Sequence, residues 1–500
     1  MIPIGETLSQ EQRAVVEAPL GSARKVVAGA GTGKTKTMVE RFAHLVSPAV
    51  GLDPGRIMVV TFTNKAAAEL RERITSKLLS TGQAAERASL DNAWFGTFHA
   101  LCTRLLREDC YQVGFDRDIQ VINPLEERLL VQEVQRELRD GRIERARILE
   151  IEAMDIDDTA RLSKATFDLI RSLKSRGILH DELLQRCLAT GKKFWDEWNL
   201  KADTVSSIDQ VADEEARELV CATFAEYEHR LAERGLIDFD GLLIATRDAL
   251  RDHPNWAQER REFFQHLIVD EFQDTNRLQL EVLAALAKPG LANLEVVGDP
   301  RQSIYGWRDA EIKNILDFKG TEHQLTGNYR SPQPILDAAH HIISVDTRFS
   351  VGPLFAHRGA GSPASVGLYR AGDPEEEARF VAGRILQLHE DEKRSWSDIA
   401  ILTRMRRPPI AFEKELRRLG VPYVTGGGYG FFEREEIKDV MAFIRVIDDP
   451  LDDAALIRVL QGPVVRVSDG ELFRLFVGRR EGKHFWDVLL DRLAEDGVVE

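Results

Sequence analysis

RKVVAGAGTGKTKTMV, residues Arg24–Val39, decides the fold. Val26 and Val27 close a short apolar run of strand type, Gly29, Gly31 and Gly33 permit a sharp loop, and Lys34-Thr35 opens a segment with helical spacing. Glycines let backbone N–H groups turn inward, the helix start adds unpaired donors and partial positive charge, and Lys34 adds a full charge. The run Ala28-Gly29-Ala30-Gly31-Thr32-Gly33-Lys34-Thr35 therefore reads as a phosphate cradle of P-loop type, with Ala28 where a first glycine often stands. Thr35 can offer its hydroxyl to a magnesium ion bridging the β- and γ-phosphates of a nucleotide.

Hydrolysis at such a cradle needs carboxylates, and His266–Asp270 supplies them. Its apolar run LIV ends in Asp270 and Glu271 and continues Phe272-Gln273-Asp274-Thr275-Asn276, which describes a buried strand delivering acids at its carboxyl end. Asp270 is expected to hold the magnesium through water, and Glu271 to orient and deprotonate the attacking water. A third strand, Leu294–Val297, runs into GDPRQSIYGWR, residues 298–308. There Gln302 is expected near the γ-phosphate, with Tyr305, Trp307 and Arg308 facing unpaired bases, although a tryptophan is as readily a core residue.

The same arrangement repeats on either side. Arg56–Thr61 is a buried strand leading through Phe62-Thr63-Asn64-Lys65 into a helix over Ala66–Leu79. Phe62 suits a base-stacking platform and equally suits the core. Asp91–Gly96, Thr97-Phe98-His99 and a helix over Ala100–Arg107 follow the same plan, with His99 either a ligand or a structural histidine. Upstream, Ser9 and Gln12 fit a capping box, while the Gln12 amide could alternatively read an adenine edge. Downstream, Tyr329 could stack on adenine and Arg330 could reach a γ-phosphate from a facing block, its other reading being a salt-bridged surface arginine.

At 500 residues the chain exceeds one ordinary core, and roughly three to four domains are expected. No apolar run approaches the ~18 residues that span a bilayer and no secretory pattern opens the sequence, so no membrane partner and a cytoplasmic location are expected. Cys102, Cys110, Cys187 and Cys221 lie far apart, which argues against a disulfide framework or a cysteine metal site. The 67 basic and 82 acidic residues give a net charge of −15. Nucleic acid is still an open partner, because a local groove and not the global balance binds a phosphate backbone. From about Pro124 to Gly235 strand-like runs give way to helical periodicity, as in Val220, Phe224, Tyr227 and Leu231. Beyond Gln324 a second α/β block is expected, with a helix over Glu375–Leu388, a strand over Asp398–Thr403, a helix over Glu433–Ile447, and helical chain from Pro450.

Taken in order, LSQEQ, AGAGTGKT, TFTNKAAAEL, GTFHAL, LIDFDGLL, VDEFQDTN, VGDPRQSIYGWRDA, NYRS and GGGYGFFEREEIKD resemble the motifs of superfamily 1 DNA helicases of the UvrD/Rep/PcrA group. The resemblance covers residues 8–440 or so. It implies an α/β fold with two RecA-like P-loop NTPase lobes and helical insertions: 1–123 and 236–320 as the first lobe, 124–235 as its insertion, 321–449 as the first part of the second lobe, and 450–500 as the start of a second insertion. It implies ATP and Mg2+ as cofactors, Gln12 as adenine reader, Tyr329 as base stacker and Arg330 as arginine finger. It also implies Phe62, Thr63, Asn64, Thr97, His99, Tyr305, Trp307 and Arg308 as contacts to single-stranded DNA. Lys36 stands where relatives commonly carry Arg, keeping charge without bidentate geometry. The group's later motifs are not found through Glu500, so the second lobe is expected to be incomplete and these residues to be the front part of a longer protein.

The expected activity is an ATP-driven 3′–5′ translocase and helicase on single strands and single/double-strand junctions, serving DNA repair or replication restart in association with the nucleoid. A nucleotide-gated DNA-binding scaffold without unwinding activity, and the helicase part of a RecB/AddA-type nuclease complex, are the alternatives.

Overall fold

The structure is a computed structural model that describes residues 8–82, 90–139, 156–180, 182–183, 214–306, 310–348, 352–359, 366–404, 410–425, 435–477 and 484–495. The chain divides into two compact units, residues 1–366 and 367–500.

The first unit is built on a six-stranded, wholly parallel sheet in the order β3-β2-β6-β7-β1-β8. Helix α1 (Gln10–Val16) precedes β1 (Arg24–Ala28), which leads through the glycine loop into α2 (Lys34–Val46). β2 (Ile57–Val60), α3 (Asn64–Ser80), β3 (Trp94–Gly96) and α4 (Phe98–Glu108) follow. The Ile57-Met58-Val59-Val60 run is buried throughout, as a parallel strand covered on both faces must be. Successive side chains point to opposite faces. Ile57 and Val59 join Phe42, Leu45, Leu70 and Ile74 of α2 and α3, whereas Met58 and Val60 join Leu105, Leu243 and Phe264 on the other side. α3 and α4 begin earlier than expected because Thr63 and Thr97 are their N-caps, accepting from the Ala66 and Ala100 N–H groups.

The helical excursion forms a core of its own. It is entered after β4 (Gln120–Val121) and left at β5 (Leu236–Ile237), two short parallel strands paired with each other. Between them lie α5 (Pro124–Arg139), α6 (Ile156–Ser175) and α7 (Glu214–Glu233). Val131, Val134 and Leu138 of α5 meet Leu169 and Leu173 of α6 and Val220, Phe224, Tyr227 and Leu231 of α7, the spacing expected of one apolar helix face. At its root Lys174 lies 2.7 Å from Asp238, which also accepts from Tyr227 at 2.7 Å and caps α8 (Phe239–Asp252).

α9 (Pro254–Phe263), β6 (His266–Val269), α10 (Arg277–Leu286) and β7 (Leu294–Gly298) complete the middle of the sheet. Register fixes where the loops emerge. Val60 pairs with Val269 and Gly96, and Val27 pairs with Gly298, so the chain leaving β1, β2, β3, β6 and β7 comes out on one edge. At the opposite edge Arg24 and Glu295 are register partners, joined at 2.8 Å, with Arg41 3.2 Å and His266 3.3 Å from the same carboxylate. All four are buried, and the Arg41 guanidinium also donates to Val16 O and Ala18 O, tying α1 to α2. Although burial opposes it, the hydrogen bond from His266 and the charges of Arg41 and Arg24 hold the Glu295 carboxyl down at about 2. Burial pushes His266 below its ordinary value, toward the neutral ring.

β8 (Thr321–Leu325), from the segment where a second lobe is expected to open, is the edge strand beside β1. β9 (Gly327–Asn328) and β10 (Phe355–Ala356) pair in parallel around α11 (Gln333–Ile343).

In the second unit α12 (Pro374–Glu390), capped by Asp373, packs on α13 (Ile410–Arg418) through Ala382, Ile385 and Leu416. α14 (Glu435–Asp448) meets α15 (Asp453–Gln461) through Ala442, Ala455 and Val459, and α16 (Asp469–Phe476) and α17 (Phe485–Glu495) follow. The strand expected over Asp398–Thr403 is not formed. Trp396–Asp398 is a 3-10 turn, Ile399 after it is extended, and no strand is assigned over residues 399–404, where Leu402 is 93% exposed. An apolar run becomes a strand only where a neighbour supplies ladder partners.

No helix among the described residues is long and apolar enough to cross a membrane. Cys102, Cys110 and Cys221 are buried free thiols; Cys187 lies outside the described residues.

Candidate nucleotide and nucleic-acid site

The glycine loop between β1 and α2 is shaped by two left-handed residues. Gly31 has φ +83° and Gly33 φ +82°, and a Cβ on either would stand 2.6 Å from a neighbouring atom, Arg330 Cβ or Gln12 Nε2. Thr32 closes the turn by donating its hydroxyl to Gly29 O at 2.8 Å. Gly33 is the N-cap of α2 and gives no side-chain cap, so the first N–H groups of that helix are offered to an anion.

Lys34 meets the acids of β6 as expected. Its Nζ lies 2.5 Å from Glu271 Oε1 and 3.6 Å from Asp270 Oδ1. Burial alone would lower the Lys34 pKa, but Asp270 and Glu271 outweigh it and the ammonium is held above its ordinary value. Burial, with the Glu271 charge, raises Asp270 against the pull of Lys34. Asp274 is raised to about 6, first by burial and then by Glu271.

Glu271 itself sits in the left-handed region at φ 52°, a strained place for a side chain. Gln273 holds it there. This buried amide donates to Glu271 Oε2 at 2.8 Å and accepts from the Asp299 N–H at 3.0 Å, fastening the β6 acid to the chain leaving β7. The sequence reading missed Gln273, whose only mark was an amide two places after the acid. Gln302 donates to Asp299 Oδ2 at 2.8 Å.

Gln12 does one of the things expected of it and one that was not. It completes the capping box with Ser9, and its Nε2 donates to Thr32 O at 3.1 Å, joining α1 to the loop. Tyr329 and Arg330 sit on chain that is bonded directly to the glycine loop. The Tyr329 N–H donates to Gly31 O at 2.8 Å, and Asn328 Nδ2 donates to Ala30 O at 2.6 Å while its Oδ1 accepts from the Arg330 and Ser331 N–H groups. Asn328 was also missed; it is fully buried. The Tyr329 ring stacks on His357 at 4.4 Å, and Arg330 is exposed.

A magnesium ion takes few ligands from protein alone and keeps waters and phosphate oxygens. The donor set fits that habit, with the Thr35 hydroxyl at the start of α2 and Asp270 at the end of β6; no cluster of three or more His, Cys, Asp or Glu suited to a metal occurs among the described residues. Ala28, Ala30 and Lys36 complete the loop and its first helical turn.

Of the residues expected to touch DNA, Phe62 and Tyr305 are brought together, half-buried, with ring centroids 4.6 Å apart and planes tilted by 36°. Thr63 and Asn64 are exposed beside them at the start of α3. Thr97 and His99 lie at the start of α4, with the His99 ring edge-on to Phe239 at 5.3 Å. Trp307 and Arg308, and the segment 426–434, lie outside the described residues.

Comparison with known proteins agrees with this geometry. Residues 8–323 match the UvrD/REP helicase N-terminal domain and residues 323–493 the UvrD-like helicase C-terminal domain. DNA helicase II of Haemophilus influenzae is 34% identical over 470 residues, covering 93% of this chain and 57% of that protein. ATP-dependent DNA helicase PcrA of Leuconostoc citreum is 34% identical over 455 residues, 90% of this chain and 54% of that protein. DNA helicase II of Escherichia coli is 33% identical over 472 residues, 93% and 58% respectively. The chain thus spans a little over half the length of these relatives. Its cradle, its paired acids and matches running over nearly all of its residues make it a member of the UvrD/REP helicase family.

Proposed function

We propose that this chain is the ATP-hydrolysing part of a DNA helicase that moves 3′ to 5′ along a single strand, entering at single/double-strand junctions, in DNA repair or replication restart. The observation that carries the proposal is the meeting of Lys34 with Glu271 at 2.5 Å, at the loop edge of a parallel sheet. The relatives' names, DNA helicase II and ATP-dependent DNA helicase PcrA, support the substrate and the fuel.

In this reading Lys34 and the N–H groups at the start of α2 bind the β- and γ-phosphates of ATP. Gln12 reads the adenine edge and Tyr329 stacks on the ring. Thr35 and Asp270 would hold Mg2+, which when bound would neutralise charge developing on the transferring phosphoryl group. Glu271, aimed by Gln273, takes a proton from water as its oxygen attacks the γ-phosphorus, and the bond to the β-phosphate oxygen breaks to release ADP. Gln302 and Arg330 stabilise the charge of the transferring group. Phe62 and Tyr305, with Thr63, Asn64, Thr97, His99, Trp307 and Arg308, grip the strand, base stacking contributing on the order of 1–3 kcal/mol per base. The test is Lys34→Ala in the full chain: DNA-stimulated ATP hydrolysis should be abolished, and its persistence would remove the cradle from the mechanism.

A further inference from the structure

We infer that Arg301 is a second nucleotide-sensing cation of the cradle, one that distinguishes ATP from ADP; the inference rests on the nucleotide site proposed above. Arg301 follows β7 and lies against the glycine loop. A Cβ on Gly29 would stand 3.1 Å from Arg301 Nη2 and 2.9 Å from Leu354 Cδ1, so the bare backbone of Gly29 is what lets the guanidinium approach. Its side chain is 11% exposed. Asp299 holds it in a fork, Nε to Oδ1 at 2.9 Å and Nη2 to Oδ2 at 3.3 Å, and Nη1 reaches Gly352 O at 3.4 Å. A guanidinium has five N–H donors, and these contacts leave two of them uncommitted among the described residues.

Asp299 is the shared acceptor of this corner. It takes the Arg301 guanidinium, the Arg301 N–H at 3.0 Å and the Gln302 amide at 2.8 Å. The acid therefore presents two donors side by side at the cradle, next to the β7 chain that Gln273 fastens to Glu271. A terminal phosphate at the loop offers them a more highly charged acceptor than Asp299, and a planar fork suits phosphate in a way that the Lys36 ammonium does not. ADP has no terminal group at that point, which gives the discrimination.

The test is calorimetric binding of ATP and of ADP, each with Mg2+, to the full chain carrying Arg301→Gln. Loss of a charge-assisted bond predicts ATP affinity reduced by about tenfold or more with ADP affinity kept within about twofold. An equal loss for both nucleotides, or none for either, overturns the inference. Arg301→Lys is measured alongside; it keeps the charge without the fork, and should also lower the ATP-to-ADP affinity ratio if Arg301→Gln fails to fold. Lys34→Ala separates the two claims. If it binds both nucleotides like the parent, the site reading fails; if it loses both while Arg301→Gln keeps the parent ratio, only the role of Arg301 fails.

Discussion

Replacing Gln273 by Leu tests whether the strained acid must be held. The substitution keeps the bulk of a buried side chain but removes its donor to Glu271 Oε2 and its acceptor for the Asp299 N–H. A hydrogen bond to a charged group contributes roughly 1.5–3 kcal/mol. If that energy serves to aim Glu271, the barrier rises by the same amount, which at 1.36 kcal/mol per decade slows turnover by about 10- to 100-fold. The orphaned Asp299 N–H separately costs stability, about 1–3 kcal/mol. The assay is DNA-stimulated ATP hydrolysis at saturating nucleotide, with ATP binding and urea unfolding measured on the same preparation. Turnover should fall while ATP binding is nearly kept, because Gln273 touches the acid and not the loop. Unchanged turnover in a protein that has lost the expected stability would refute the positioning role, since the bond would then serve the fold alone.

Other outcomes follow from the same structure. Glu295→Gln removes the anion between Arg24 and Arg41 and should cost about 3–5 kcal/mol by urea unfolding, the usual penalty for breaking a buried pair. In the parent, Glu295 has its folded value depressed to about 2 from 4.5, so its contribution is complete above pH 4.5 and is lost as pH falls toward 2; the variant should show a flatter acid limb. Glu127, near Asp238 at the root of the helical excursion, is pushed up to about 7, chiefly by burial. Its sign is opposite: the contribution is complete below pH 4.5 and lost as pH rises through 7, so Glu127→Gln should gain stability over the parent in that window, read by thermal unfolding at pH 4, 6 and 8. Phe62→Ala and Tyr305→Ala should each weaken binding of a labelled single strand by about 1–3 kcal/mol, and the double variant by less than the total, because the rings touch.

The loop and the acids were readable because both follow buried strands, and a parallel sheet carries the ends of such strands to one edge whatever their separation in the chain. Thr63 and Thr97 show the limit at helix ends. The helices were expected to start at Ala66 and Ala100, but the Thr63 and Thr97 hydroxyls cap α3 and α4, which moves the helix starts upstream. Gln273 and Asn328 escaped because a buried amide has no periodicity and no charge to betray it; its value lies entirely in partners that are distant in sequence. The stretch over Asp398–Thr403 was misread for the converse reason, since a short apolar run says nothing about whether a neighbour exists to pair with.

β8 beside β1 has a practical corollary for anyone dissecting the molecule. A fragment ended at residue 320 would strip off that outermost strand and leave Arg24–Ala28, the stem of the nucleotide loop, as an open rim with unmet N–H and C=O groups. It would also lose the Asn328 clasp on Ala30. Such a fragment should self-associate and bind nucleotide poorly for reasons of tailoring alone, whereas one that runs on to residue 366 keeps both the rim and the clasp.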